Sequence, residues 1–190
     1  MADILTLADA RSALRKVTAD TVDDADLTST YIPATTLICE SVAGPIMTAS
    51  KSRTYNGGGP ALLLPSAVTA VTSVTQSGQN LSATTDYTVD LAAGIVYCGL
   101  YPVWATFMPS LQTIVVNYTV GYAASSSAVR ADHKLAARII LRHLFQADEQ
   151  GYRPGFGTPD NDTVPISTGY AIPRRAWELL RPSAVNPGFA

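Results

Sequence analysis

Apolar residues recur at helical spacing from the N-terminus. Thr6 followed by Asp9 is a capping-box pattern, and Leu7, Ala10, Ala13 and Leu14 share one face, which predicts a helix over residues 6–16. Thr18-Ala19-Asp20-Thr21 interrupts it. Acids at Asp23, Asp24 and Asp26 favour the positive end of a second helix over residues 23–43. Its apolar positions are Leu27, Tyr31, Ala34, Ile38 and Val42, and Gly44-Pro45 stops it. Pro33 lies inside this pattern. It lacks an N–H and its ring crowds the preceding turn, so a kink or split is expected there.

The pattern then changes. Residues 51–122 are rich in Val, Thr, Ser, Tyr and Gly and alternate over short runs, the mark of strands and turns. Val68 to Gln76 predicts a strand closed by Ser77-Gly78-Gln79-Asn80. Tyr87 to Asp90, Ala92-Ala93-Gly94 and Ile95 to Tyr97 predict a tight hairpin, and Ile114 to Tyr118 a last strand. Five or six strands in an antiparallel sheet or small barrel-like unit are expected.

Helical spacing returns over residues 128–150. Ala131, Leu135, Ala136, Ile139, Ile140, Leu144 and Phe145 supply a broad apolar face ending at Gly151. Residues 151–167 are rich in Gly, Pro, Asp and Asn and predict a loop or extended segment. Pro173 to Leu180 predicts one short helix. The expected fold is α+β and mainly helical: a small helical bundle with a charge-poor antiparallel β insertion at 51–122, together spanning 1–150, and an extended C-terminal tail over 151–190.

Composition narrows the classes of function. Only 15% of the 190 residues are charged, well below the roughly one quarter usual for a globular domain. That suits a protein that lives inside an assembly. The formal charge of −2 gives no global drive towards nucleic acid. Its distribution is uneven: residues 1–50 hold seven acids and three bases, residues 51–127 two of each, and residues 128–190 eight bases and six acids. No apolar run reaches the roughly 20 residues of a membrane span, and the N-terminus has no secretory pattern, so a soluble intracellular protein is expected. Cys39 and Cys98 stand in apolar settings as reduced, buried thiols.

Chemistry-bearing patterns are absent. His133 and His143 stand about 80° and roughly 15 Å apart on a helix, which excludes a two-histidine metal pair and leaves solvent-facing or interface roles. No His-Glu-x-x-His, Gly-x-Ser-x-Gly or phosphate-loop motif occurs, and Gly57-Gly58-Gly59-Pro60 predicts a flexible loop. Asp86 and Asp90 suit a solvated strand end. Neither an enzyme nor a cofactor or metal is expected.

Two surfaces remain as candidates. Arg130, Lys134, Arg138 and Arg142 follow one another every fourth residue and form a slowly winding stripe. It suits a solvated face next to Asp132 and Glu149, an ion-pairing subunit interface, or a channel wall touching phosphate. In the tail, Ile172, Arg174, Arg175, Trp177 and Leu180 combine apolar and guanidinium groups as partner anchors do, while packing onto the subunit's own third helix is the alternative. Tyr97, Tyr101, Trp104 and Phe107 motivate a carbohydrate- or host-surface-binding β module, although such a cluster is more often core.

The order of elements resembles the head–tail connector (adaptor) proteins of long-tailed bacteriophages. Leu5-Thr6-Leu7-Ala8-Asp9-Ala10-Arg11 is similar to that family's opening, and Cys39-Glu40-Ser41-Val42-Ala43-Gly44 to the close of its second helix. Leu64-Pro65 with Val71-Thr72-Ser73-Val74 and Gly78, Asp86 to Asp90 with Gly94-Ile95, and Val115 to Tyr122 resemble its insertion. The likeness spans about residues 4–150. Pro33 and the length of residues 151–190 depart from it. The resemblance implies a structural virion protein of the neck, assembled in the host bacterial cytoplasm. It implies a self-assembled ring, commonly twelvefold, that meets a portal protein and a stopper or tail-completion protein, with genomic DNA passing non-specifically through the channel. A head-completion, stopper or tail-completion role is the alternative within the virion.

Overall fold

The computed structural model describes residues 2–17, 20–65, 67–83, 85–100, 103–149, 163–165 and 171–181. These divide into two compact units. One is helical and takes the described residues up to 47 and from 123 onward; the other is built from sheets and takes residues 48–122.

The helical unit opens with α1 (Leu7–Leu14). Thr6 caps it reciprocally with Asp9, and Arg15 ends it in the left-handed conformation at φ 56°, its N–H returning to Arg11 and Ser12 carbonyls. A second helical run follows as α2 (Asp24–Asp26), a π-helical turn (Leu27–Tyr31) and α3 (Ile32–Ala43). The run is divided at Pro33, as expected: a π-helical turn ends at Tyr31, and Pro33 stands in the first turn of α3. The Ile32 N–H bonds the Leu27 carbonyl, so the backbone widens by one residue before the proline, where the missing N–H and the ring need room. That extra residue moves the buried face by one position. After Leu27 and Tyr31 its buried positions are Ile32, Thr35, Thr36, Cys39 and Ala43, while the expected Ile38 and Val42 pack against the same core partly buried.

Beyond a one-turn 3₁₀ segment (Ser126–Ala128) comes α4 (Ala131–Glu149), and near the C-terminus α5 (Arg174–Leu180). Ile4, Leu27, Ile32, Cys39, Ala136, Ala137, Ile140, Leu141, Ile172, Ala176 and Leu180 meet in one core. Leu135, expected in that face, is exposed, and His133 is buried in its place. Glu40 ties the exit of α3, its Oε1 accepting from the backbone N–H groups of Ile46 and Met47 at 3.0 and 2.8 Å.

The other unit holds two antiparallel sheets. The first has the order β1 (Ala49–Tyr55), β8 (Ile114–Val120), β3 (Val68–Gln76), β4 (Gln79–Leu81). The second is β2 (Ala61–Leu63), β6 (Ile95–Leu100), β5 (Tyr87–Asp90), with β7 (Val103–Trp104) also on β6. β8 alternates strictly, Ile114, Val116, Tyr118 and Val120 facing inward, and they join Leu62, Val74, Tyr87, Val96 and Phe107 in a core of the unit's own. A separate short pair, β9 (Thr163–Pro165) and β10 (Ala171–Pro173), belongs to the helical unit.

The expected strand at 68–76, its turn and the hairpin across Ala92-Ala93-Gly94 are present. The expectation of a mainly helical bundle with a small insertion is corrected. The chain is a sheet-rich α+β protein, with ten strands among the described residues. The expected five or six strands are eight among the described residues of this unit. Half of the residues in an alternating strand are polar, so its core contribution is easily undercounted.

The glycine run at 57–59 is not a flexible tip. Gly57 N–H bonds the Ser110 carbonyl at 2.8 Å, Gly58 N–H the Phe107 carbonyl at 2.9 Å, and Phe107 N–H the Gly59 carbonyl at 3.0 Å. A β-carbon on Gly57 would lie 1.9 Å from the Met108 carbonyl oxygen, so only glycine permits this crossing.

Candidate functional site

α4 carries the basic stripe, and its members have separate fates. Arg138 reaches α1: its Nη2 bonds Asp9 Oδ1 at 2.8 Å, and Asp9 also serves the Thr6 cap. Burial raises the Asp9 carboxyl pKa, but the hydrogen bonds from Thr6 and the pairing with Arg138 outweigh it and hold the group below its ordinary value. Arg130 is bound to Asp132 through Nε at 3.2 Å. Among the described residues, Lys134 and Arg142 form no ion pair. The stripe is therefore divided between two paired members, Arg130 and Arg138, and two cations with no carboxylate partner among the described residues.

The N-terminal acids are spent in a similar way. Arg11 Nε bonds Asp24 Oδ1 at 2.9 Å, and the guanidinium holds the Asp24 carboxyl below its ordinary range. Lys16 pairs with Asp23, lies 3.5 Å from Asp20 and sits over the Phe145 ring at 5.2 Å. An acidic N-terminal block meeting a basic one on another copy was the expected basis of an ion-pairing interface. Here Arg11 and Lys16 pair with acids of their own N-terminal block, and Arg138 with Asp9 joins that block to the C-terminal one within one subunit.

The C-terminal segment separates by residue. Ile172, Ala176 and Leu180 are fully buried in the helical core, the packing that the sequence left as the alternative to anchoring. Ala176 and Leu180 stand four residues apart on one face of α5, and Ile172 of β10 joins them in the core that α4 shares. Trp177 is half-buried with the Arg181 guanidinium 4.4 Å from its ring, and Arg174 bonds Glu178 at 3.0 Å. Arg174 and Arg175 are exposed. The loop over 151–162 lies outside the described residues.

The aromatic cluster also divides. Phe107 is buried in the sheet core. Tyr97 lines an open cleft of about 670 Å³ with Pro60, Thr88 and Asp90. Tyr101 and the side chain of Trp104 lie outside what is described. Asp86 and Asp90 hold turns, accepting from the backbone N–H groups of Ser82 at 2.8 Å and Ala93 at 3.0 Å. Among the described residues no group of three His, Cys, Asp or Glu side chains could hold a metal ion, and no helix is long and apolar enough to cross a membrane. Cys39 and Cys98 are free thiols, and burial pushes Cys39 up to about 12.

His133 corrects the expectation of a solvent-facing histidine. It is 2% exposed, and burial lowers its pKa from the ordinary 6.5, with Asp132 opposing the shift and Arg130 adding to it. The unfolded chain binds that proton more readily than the fold does. Its share of stability is therefore full above about pH 6.5 and is lost as the pH falls towards the lowered folded value. Asp9 and Asp24, with lowered values, contribute above about pH 3.8 and lose that contribution only in stronger acid. Urea unfolding between pH 8 and 3 should show both losses. His133→Gln should flatten the first and spare the second, and an unchanged slope near neutrality would contradict the assignment.

No protein-family model matches the chain, and no curated protein matches it. Solved structures do. A chain of the neck of an empty gene transfer agent particle, computed with C6 symmetry, aligns at 20% identity and a TM-score of 0.61, covering 82% of this chain and 83% of that one. A chain of a native gene transfer agent virion aligns at 18% identity and 0.61, covering 94% and 88%. A chain of the native particle's neck, computed with C12 symmetry, aligns at 18% identity and 0.54, covering 83% and 87%. The fold is shared with these chains along nearly the whole length.

Proposed function

We propose that this protein is a structural component of the neck of a phage-like particle. Within it, the chain acts as the head–tail adaptor, forming a ring between portal and tail through which DNA passes. The observation that carries the reading is the fold shared with chains of two neck structures over more than four-fifths of both partners. The stretches that resemble the connector family support the finer role. So does the low charge, which suits a surface mostly covered by neighbours. In this role each subunit touches two copies of itself, the portal on one side and a stopper or tail-completion protein on the other. Contact with DNA is non-specific, and Lys134 and Arg142, which form no ion pair among the described residues, are the channel candidates. Arg174, Arg175 and the exposed side of Trp177 are the candidates for the portal contact.

Deleting the gene in a strain that produces the particle tests this. Filled heads and separate tails are expected, with joining restored by the gene in trans. Intact joined particles in the deletion strain would sink the proposal.

A further inference from the structure

The sheet unit is neutral, yet its four charges are segregated. Lys51 and Arg53 are its cations and both lie on β1; Asp86 and Asp90 are its acids, one just before β5 and the other its last residue. No ion pair joins them among the described residues. Both strands are sheet edges: β1 pairs only with β8, and β5 only with β6. Five consecutive residues of β1, Ser50 to Thr54, are exposed, so both faces of the strand are uncovered. The edges belong to different sheets. Tyr55 at the end of β1 donates its hydroxyl to the Leu63 carbonyl on β2 at 2.9 Å, and β2 and β5 flank β6 on its two sides.

The acidic edge has a shaped receptor. Thr88 and Tyr97 stand opposite one another in the β5–β6 register, and with Pro60 and exposed Asp90 they line the 670 Å³ cleft. A carboxylate beside an aromatic ring is a site for a guanidinium or ammonium group. We propose that, in the ring described above and resting on that reading, neighbouring copies join head to tail through these edges. Lys51 and Arg53 of one copy enter the Pro60–Thr88–Asp90–Tyr97 cleft of the next. Pairing of β1 with a second β1 would set cation against cation, so the same charges that guard the edge select a β5 partner. Different edges on one unit make the contact heterologous, the kind that closes into rings.

Charge exchange tests the contact in the full chain, with ring formation on purified portal read by negative-stain imaging and sedimentation. Lys51→Glu with Arg53→Glu makes both edges acidic, and Asp90→Lys puts a cation in the cleft in place of its carboxylate. Each variant alone should reduce the assembled fraction about tenfold or more through like-charge contact, at unchanged melting temperature. An equal mixture should assemble again, because alternating copies restore both contacts in an even-numbered ring. Should Asp90→Lys melt early, Asp90→Asn keeps an acceptor for the Ala93 N–H and is expected to weaken assembly. Parental assembly by the β1 variant or by Asp90→Asn, or a mixture that stays apart, overturns the contact and leaves the ring standing. A parent that forms no ring overturns the ring and the contact together.

Discussion

Replacing Gly57 by alanine is expected to destabilise the sheet unit by about 3 kcal/mol or more, a large share of a domain's stability. The added carbon would stand 1.9 Å from the Met108 carbonyl oxygen, a backbone atom that cannot swing aside. Relief requires pulling residues 57–59 away from 107–110 and giving up their three backbone hydrogen bonds, which also anchor buried Phe107. Gly59→Ala is the control. Its added carbon meets the Ala61 carbonyl at 3.8 Å, an ordinary contact, and the change should stay within about 1 kcal/mol. Urea unfolding followed by circular dichroism compares the two. Equal midpoints would remove the close crossing from the account.

The second large effect concerns the C-terminal segment. Ile172→Ala and Leu180→Ala should each cost about 2–5 kcal/mol, because both side chains are fully buried against the helical core and leave cavities there. Arg174→Ala and Arg175→Ala should change stability by no more than about 0.5 kcal/mol, since both are exposed. Hydrogen exchange on the free subunit gives an independent reading. Slow exchange over residues 172–180 without any partner is expected of a core helix. Fast exchange that slows only when portal is added would reverse the assignment and make the whole segment an anchor.

Much of the secondary structure was legible because its signals are local. Thr6 and Asp9 cap α1 through side chains three residues apart, and Ser77-Gly78 closes β3 onto β4, with φ values of 51° and 81°. The apolar face of α3 was only partly legible. One widened turn before Pro33 shifts every later position by one, and periodicity assumes a constant 3.6 residues per turn. Gly57 was unreadable for a different reason: what forbids a side chain there is a carbonyl 51 positions away in the sequence.

Charge misled in a similar manner. Block totals suggested acidic and basic surfaces on separate copies, whereas Arg138 with Asp9 and Arg11 with Asp24 pair inside one unit. The neutral middle block drew no attention, because a sum of zero hides that its cations and its acids sit on different edges. The tail held a real ambiguity. Trp177 beside Arg181 has the composition of an interface, and only the packing of Ile172, Ala176 and Leu180 against α4 places that face inward.

The central claim, a ring-forming neck protein, is tested most directly by imaging the purified full chain with the portal of the same particle by single-particle electron microscopy. The account predicts a ring of this chain docked end-on to the portal, with a central channel and one helical and one sheet unit per repeat. A monomer that never binds the portal, or density for the chain only in tail or fibre structures, would contradict it.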